Sequence, residues 1–134
     1  MKNREDMTFA PEEYQARLTA LRARIEERCL DAVVITDPEN ILYLTDYQTT
    51  GYSFFQALIV PLDQEPIMIT RAMEESNVIE RTWVEHSRPY PDTGDAIQML
   101  VETCVNLTSV TSASAMSVTV TFSPLISRTS FTPR

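Results

Sequence analysis

Residues 30–47 read LDAVVITDPENILYLTDY, and this stretch decides the fold. Residues 32–35 form an unbroken apolar run with three β-branched side chains, which is typical of a strand buried on both faces. Residues 37–40 then open a short helical turn that carries Ile41, Leu42 and Leu44. The stretch therefore predicts a buried strand that leads directly into a helix.

The sequence on both sides of this stretch continues the alternation of helices and strands. Pro11 suits the first position of a helix, and apolar side chains then recur at steps of three and four, forming one stripe. The alternation predicts an α/β fold in which a mixed β-sheet is covered by helices. The further elements predicted are a helix over 11–28, strands over 54–60 and 66–70 joined in a hairpin by a turn at 62–65, a helix over 72–81, a short strand over 83–87, an extended segment over 89–91, and a last helix that is capped by Asp92 or Thr93 and contains residues 96–101.

Composition and charge exclude several classes of function. The chain has 134 residues, 43% of them hydrophobic, and a net charge of -8. That charge argues against partners such as nucleic acid and anionic membrane surfaces, which attract basic proteins. No apolar run approaches the roughly 20 residues of a membrane helix, and residues 1–6 are too polar to begin a signal peptide. The sequence therefore predicts a cytoplasmic protein with neither nucleic-acid nor membrane partners.

Residues 104–134 differ in composition from the rest of the chain. All 19 acidic residues precede Cys104, and 13 of the last 31 residues are Ser or Thr. Residues 117–122 alternate as in a strand, yet no turn residues bound them. We predict three regions: an N-terminal tail over 1–9, a domain over 10–103 and an aberrant, poorly ordered tail over 104–134.

Two interpretations of this tail are open. It is a Ser/Thr-rich linker, or it is translated out of frame. Codons permitted from residue 104 onward, read after one restored base, encode LREFDLRNLRIGYERNSYFFPA. The shifted text is charged and continues the predicted last helix, so we favour the out-of-frame interpretation.

No catalytic motif occurs in the chain. It lacks phosphate-binding glycine loops, nucleophile elbows and zinc-binding HExxH, and Cys29 and Cys104 fit no metal-ligand spacing. His86, the one histidine, is expected at the surface. Glu74 and Glu75 are adjacent, so they do not face one another on a helix and are expected to be solvated.

One segment, residues 46–55, has the composition of a contact surface. Aromatic side chains with polar tips are enriched at binding surfaces, and here they surround Gly51. The alternative is an ordinary loop whose aromatic side chains pack back onto the sheet. The candidate residues for contact with a partner or for substrate access are Tyr47, Gln48, Tyr52, Phe54 and Phe55.

The leading helix, the stretch 30–47 and the strand ALIVP at 57–61 together resemble the N-terminal domain of the creatinase, prolidase and aminopeptidase P superfamily. The resemblance covers residues 10–103, and RIGYE in the shifted frame is similar to the strand that follows in such proteins. Two positions depart from the pattern. Cys29 and Gln64 stand where glycine is usual, and each is expected to cost some stability because glycine tolerates a positive φ.

The resemblance implies a two-domain hydrolase that acts on Xaa-Pro peptides or small C–N substrates. In the peptidase branches the C-terminal domain would hold two divalent metals, but none of those positions lies in this chain. We therefore predict no catalytic residue, no metal ligand and no cofactor here. The resemblance also implies a homodimer and a loop lent to the partner's active-site mouth. The predicted function is that of a truncated, non-catalytic fragment. The alternatives are a freestanding binding or dimerisation module and an intact enzyme with unfamiliar machinery.

Overall fold

Strand β1, Ala32–Ile35, lies inside a mixed sheet, as the opening stretch predicts. The computed structural model of the chain describes residues 1–2, 4–110, 118–121 and 130–131. Within them the strand order is β4-β3-β2-β1-β5-β6, with β1–β2, β2–β3 and β5–β6 antiparallel and β3–β4 and β1–β5 parallel. The other strands are β2 Ala57–Pro61, β3 Ile67–Arg71, β4 His86–Tyr90, β5 Val118–Thr121 and β6 Ser130–Phe131.

The described helices cover both faces of this sheet, which confirms the predicted α/β class. They are α1 Pro11–Glu27, α2 Pro38–Thr45, α3 Glu75–Arg81, which follows a 3-10 turn at Ala72–Glu74, and α4 Ala96–Val110. No helix among the described residues is long and apolar enough to cross a membrane.

Alternation along β1 divides the core into two layers. Val33 and Ile35 pack with α1, α2 and the segment after α3, whereas Ala32 and Val34 face α4. Neighbouring side chains of a strand point to opposite faces, so a continuous apolar run serves both layers at once. This explains why the strand has no polar face.

Several predicted boundaries are wrong for physical reasons. The strand predicted over 54–60 begins at Ala57, because the chain before it turns back and the Phe54 N–H donates to the Gly51 carbonyl at 3.0 Å. The strand expected at 83–87 begins at His86, because Trp83 and Val84 fill the core instead, and the Trp83 indole donates a hydrogen bond to the Leu44 carbonyl at 2.9 Å. The last helix is capped by Asp95, whose carboxylate accepts from the Ile97 and Gln98 backbone N–H groups, and not by Asp92 or Thr93.

The predicted domain boundary at residue 103 falls inside α4, which continues to Val110. Cys104 packs against the layer on that face, Leu107 is buried, and β5 lies within the stretch that alternates as a strand. The out-of-frame origin and poor order of 104–134 stay predictions, and residues 111–117, 122–129 and 132–134 lie outside those described.

The N-terminal tail predicted over 1–9 is hydrogen-bonded to the domain near both of its ends. The Lys2 backbone N–H donates to the Trp83 carbonyl at 2.9 Å, and the Thr8 N–H donates to Asp46 Oδ2 at 3.0 Å. Met1 and Met7 pack against the core layer that contains α1. Most of this segment is therefore held on the surface of the domain.

The two departures from the resembled pattern have different outcomes. Cys29 has φ 53°, so it occupies the left-handed region where glycine is favoured. Gln64 has no positive φ, so the backbone conformation expected at that position is wrong. Its carbonyl instead accepts a hydrogen bond from the Arg22 guanidinium.

Candidate functional site

The candidate contact residues lie in residues 46–56, here called the aromatic loop, which joins α2 to β2. The loop starts at Asp46, whose φ of 63° ends α2 in the left-handed region. Aspartate tolerates this conformation better than most residues. Its side chain accepts from Thr8, so the turn also ties the N-terminal segment to the loop.

The first half of the aromatic loop is anchored on the carboxylate of Glu74. Its Oε2 accepts hydrogen bonds from the Tyr47 hydroxyl at 3.1 Å, the Thr49 hydroxyl at 2.7 Å and the Asn77 amide at 2.8 Å. A charged acceptor makes each of these bonds stronger than a neutral one. The expectation that Glu74 is simply solvated is therefore wrong, because its carboxylate holds the loop against the start of α3.

Burial and hydrogen bonding set the protonation states of this anchor. Burial raises the pKa of Tyr47 to about 12, so its phenol remains a donor at neutral pH. The hydrogen bond from Thr49, followed by that from Asn77, lowers the pKa of Glu74. The pair is therefore a neutral phenol against a charged carboxylate.

Gly51 allows the loop to approach this carboxylate. A Cβ at position 51 would lie 2.9 Å from Glu74 Oε1, closer than carbon and oxygen tolerate. The Gly51 N–H also donates to Thr49 Oγ1 at 2.8 Å. Glycine here permits the close approach, since a Cβ would require the Glu74 side chain to shift, and no positive φ is involved.

The second half of the aromatic loop is anchored on β3 and β4. The Arg71 guanidinium lies 4.1 Å from the centre of the Phe54 ring and forms an ion pair with Asp92. The Tyr90 hydroxyl donates to the Phe55 carbonyl at 2.7 Å. Both ends of the loop are thus fixed, and its middle projects between them.

The structure separates the five candidate residues into two groups. Tyr47 is buried and Phe55 is half-buried against the layer that faces α4, so both pack back onto the domain. Gln48 is exposed, and Tyr52 and Phe54 have exposed fractions of 66% and 49%. The exposed surface of the loop is therefore formed by the second group.

A cleft of about 490 Å³ opens between the aromatic loop and the N-terminal end of α2. It is lined by the carboxylates of Asp37 and Glu39, the apolar side chains of Pro38 and Leu42, and the loop residues Tyr47, Gln48, Thr49, Tyr52 and Gln56. Three of the five candidate residues thus line one cleft, whereas Phe54 and Phe55 do not.

Sequence reasoning missed Glu74 and Gln56 as parts of this site. Glu74 is distant in sequence, and only its place just after β3 could have suggested a contact with the loop after α2. Gln56 lies in a run predicted to be strand, where a polar residue before ALIVP was the one available signal. His86 is exposed, as predicted.

The described residues contain no group of three His, Cys, Asp or Glu side chains that could hold a metal ion. The described residues therefore do not fit the two-metal centre that the resemblance implies for the catalytic part of such hydrolases.

Comparison with known proteins identifies the domain. A family model described as the creatinase/prolidase N-terminal domain matches residues 17–129. The chain belongs to this family. The match spans most of the chain and includes the strands and helices that build the cleft.

Two curated relatives are hydrolases by name. Ectoine hydrolase of Halomonas elongata is 33% identical over 90 residues, covering 64% of this chain and 22% of that protein. An uncharacterized hydrolase/peptidase of Sinorhizobium fredii is 34% identical over 87 residues, covering 63% and 22%. The chain thus spans less than a quarter of the length of these relatives.

Solved structures share the fold. A proline dipeptidase of Streptococcus pneumoniae aligns with a TM-score of 0.66 at 24% identity, covering 82% of this chain and 76% of that one. The creatinase/prolidase N-terminal domain of an X-Pro dipeptidase from Streptococcus pyogenes aligns with a TM-score of 0.63 at 19% identity, covering 83% and 79%. At these identities the likeness establishes the architecture alone.

Proposed function

We propose that the chain is the non-catalytic N-terminal domain of a creatinase or Xaa-Pro peptidase type of hydrolase, serving dimerisation and substrate access. The observation that carries the proposal is the aromatic loop, which is anchored at both ends and presents Tyr52 and Phe54 to the surface. A rigid support with exposed aromatic tips suits a surface that meets a second subunit or guides a substrate.

The dimerisation part of the proposal is supported by α4. Ile97, Val101 and Val105 are spaced four residues apart and have exposed fractions of 54%, 55% and 58%. Side chains at this spacing share one helix face, and an exposed apolar face favours association. A symmetric dimer would cover this face with its own copy.

The absence of catalysis is tested with dipeptides that end in proline. The complete chain is incubated with such dipeptides in the presence of Mn²⁺ or Co²⁺, and we expect no hydrolysis. Hydrolysis that scales with chain concentration would contradict a non-catalytic role.

Dimerisation is tested by sedimentation equilibrium of the complete chain. We expect a dimer. Val101→Glu should convert the dimer to monomer, because the burial of an unpaired carboxylate in an apolar contact is unfavourable. Ile79→Glu is the matched control, since Ile79 is equally exposed at 54% but lies on α3. A strictly monomeric and aggregating chain would contradict both the dimer and the freestanding-module alternative.

Substrate access is tested in a chimaera. The matched segment of Halomonas elongata ectoine hydrolase is replaced by that of this chain, and kcat and KM are measured with and without Tyr52→Ala. We expect a raised KM at unchanged melting temperature. An unchanged KM for Tyr52→Ala and Phe54→Ala alike would remove the access role from the aromatic loop.

A further inference from the structure

Gln56 lines the cleft, and its side-chain amide takes no part in the hydrogen bonds that hold the described part of the chain together. Its side chain is only 6% exposed, yet its amide makes no hydrogen bond within the described part of the chain. Neither amide atom is sealed from solvent, because the fully enclosed unpartnered atoms found there belong to Arg4 and Thr70. Gln56 lines the cleft, so its accessible amide atoms are within reach of a molecule bound there.

An amide that the fold leaves unpaired at the wall of a cleft is available to a hydrogen-bonding ligand. Native proteins pair nearly all enclosed polar groups, so a largely buried amide without a protein partner is unusual. Glutamine presents two N–H donors and one carbonyl acceptor. A ligand with a carbonyl or amide group would satisfy Gln56 from the open side.

The rim of the same cleft is acidic. It contains the carboxylates of Asp37 and Glu39 and no basic side chain. Asp37 caps α2 by accepting from the Asn40 N–H at 3.1 Å, so it offsets the partial positive charge of the helix end. The exposed carboxylate of Glu39 then gives the rim a net negative charge.

The remaining lining suits an organic cation better than a hydrated metal ion. The Tyr52 ring is 66% exposed at the mouth, and Pro38 and Leu42 form an apolar wall. Aromatic faces attract ammonium groups, and apolar walls accept their carbon substituents. The thiolate, imidazole and clustered carboxylate ligands of a metal site are not grouped among the described residues.

The geometry points to a site for a small organic cation that also carries an amide or carbonyl group, with its ammonium near Glu39 and its carbonyl on Gln56. This inference names the class of ligand that the aromatic loop would help to bind, and in that sense it rests on the proposed function. Its test uses binding alone, so it is independent of dimerisation and of any catalytic domain.

The experiment is an NMR titration of the complete 134-residue chain with three probes. Glycinamide carries both an ammonium and an amide, acetamide carries the amide only, and glycolate is an anion. We expect glycinamide to shift the Gln56 side-chain amide and the Gln48 and Thr49 backbone amides, with a dissociation constant on the order of millimolar for so small a ligand. Equal binding of glycinamide and acetamide, or no shift at these three positions, would overturn the inference.

Two variants separate the contributions. Glu39→Gln removes an exposed charge and should weaken glycinamide binding about two- to fivefold. Gln56→Leu should weaken it about three- to tenfold, with the fold checked by the dispersion of its backbone spectrum. Glu12→Gln is the matched control, because Glu12 is an exposed glutamate on α1 outside the cleft. Equal effects of Glu39→Gln and Glu12→Gln would contradict a site at this rim.

Discussion

The Tyr47 hydroxyl donates a hydrogen bond over 3.1 Å to Oε2 of Glu74, a residue 27 positions later in the chain. The phenol ring is buried, and a buried tyrosine hydroxyl requires a partner. Thr49 and Asn77 donate to the same oxygen. One carboxylate therefore links the first half of the aromatic loop to the start of α3.

Removal of this carboxylate should destabilise the domain. Glu74→Ala leaves the Tyr47 hydroxyl and the Thr49 hydroxyl without their acceptor, and we expect a loss of about 1–3 kcal/mol in the free energy of unfolding. The measurement is urea denaturation followed by circular dichroism. Glu75→Ala is the control, since the neighbouring residue makes no such hydrogen bonds and should change stability by less than about 0.5 kcal/mol. Equal losses in both variants would contradict the anchoring role.

Stability should depend on pH through the same group. The hydrogen bond from Thr49 lowers the pKa of Glu74 below its ordinary value of 4.5. A carboxyl with a depressed folded-state pKa contributes stability above its unfolded pKa, and that contribution is lost as the pH falls through the folded value. We therefore expect the free energy of unfolding to fall as the pH drops below about 5, and to fall less steeply in Glu74→Gln. Parallel curves for the two proteins would assign the acid sensitivity to other carboxyl groups.

Cys29→Gly should stabilise the chain. At φ 53° the Cβ of cysteine makes an unfavourable contact with the backbone, and glycine has no Cβ. Glycine loses more backbone entropy on folding, so we expect a net gain of about 0.5–1 kcal/mol, measured by thermal unfolding. Arg28→Gly is the control, since Arg28 has φ -92° and should lose stability instead. A lower melting temperature for Cys29→Gly would mean that strain at this turn is negligible.

The reading frame after Thr103 is checked by the nucleotide sequence. We predict codons at residue 104 onward that, after one restored base, encode LREFDLRNLRIGYERNSYFFPA. The basis is the loss of all acidic residues from that position, which no folding requirement of α4 explains. Codons incompatible with the shifted text would leave the Ser/Thr-rich linker as the remaining interpretation.

The sequence predicted the local features of the fold better than its long-range contacts. The continuous apolar run of β1 and the stripe on α1 follow from periodicity, which acts over a few residues. Trp83 was placed in a strand because aromatic residues favour strands, although the same side chain serves equally well in a core between elements. The left-handed turn at Cys29 was visible from its place after a helix.

The candidate site depended more on contacts that no local pattern encodes. Tyr52 and Phe54 were recognisable as surface aromatics in a polar loop. The partnership of Tyr47 with Glu74 depends on β2 and β3 lying side by side, which brings the loop before one strand next to the turn after the other. The unpaired amide of Gln56 depends on which side chains surround it in the folded domain, and no local pattern encodes that.

The close approach of Gly51 to Glu74 has a consequence for how this surface can vary. Positions 47, 49, 51 and 55 are committed to anchoring, whereas Tyr52 and Ser53 lie between the anchors at the exposed tip. Randomisation confined to those two positions would alter what the tip recognises and leave the supporting framework intact. The domain is in this respect a scaffold onto which new specificities could be selected, provided that a library leaves the four anchoring positions, Gly51 among them, unchanged.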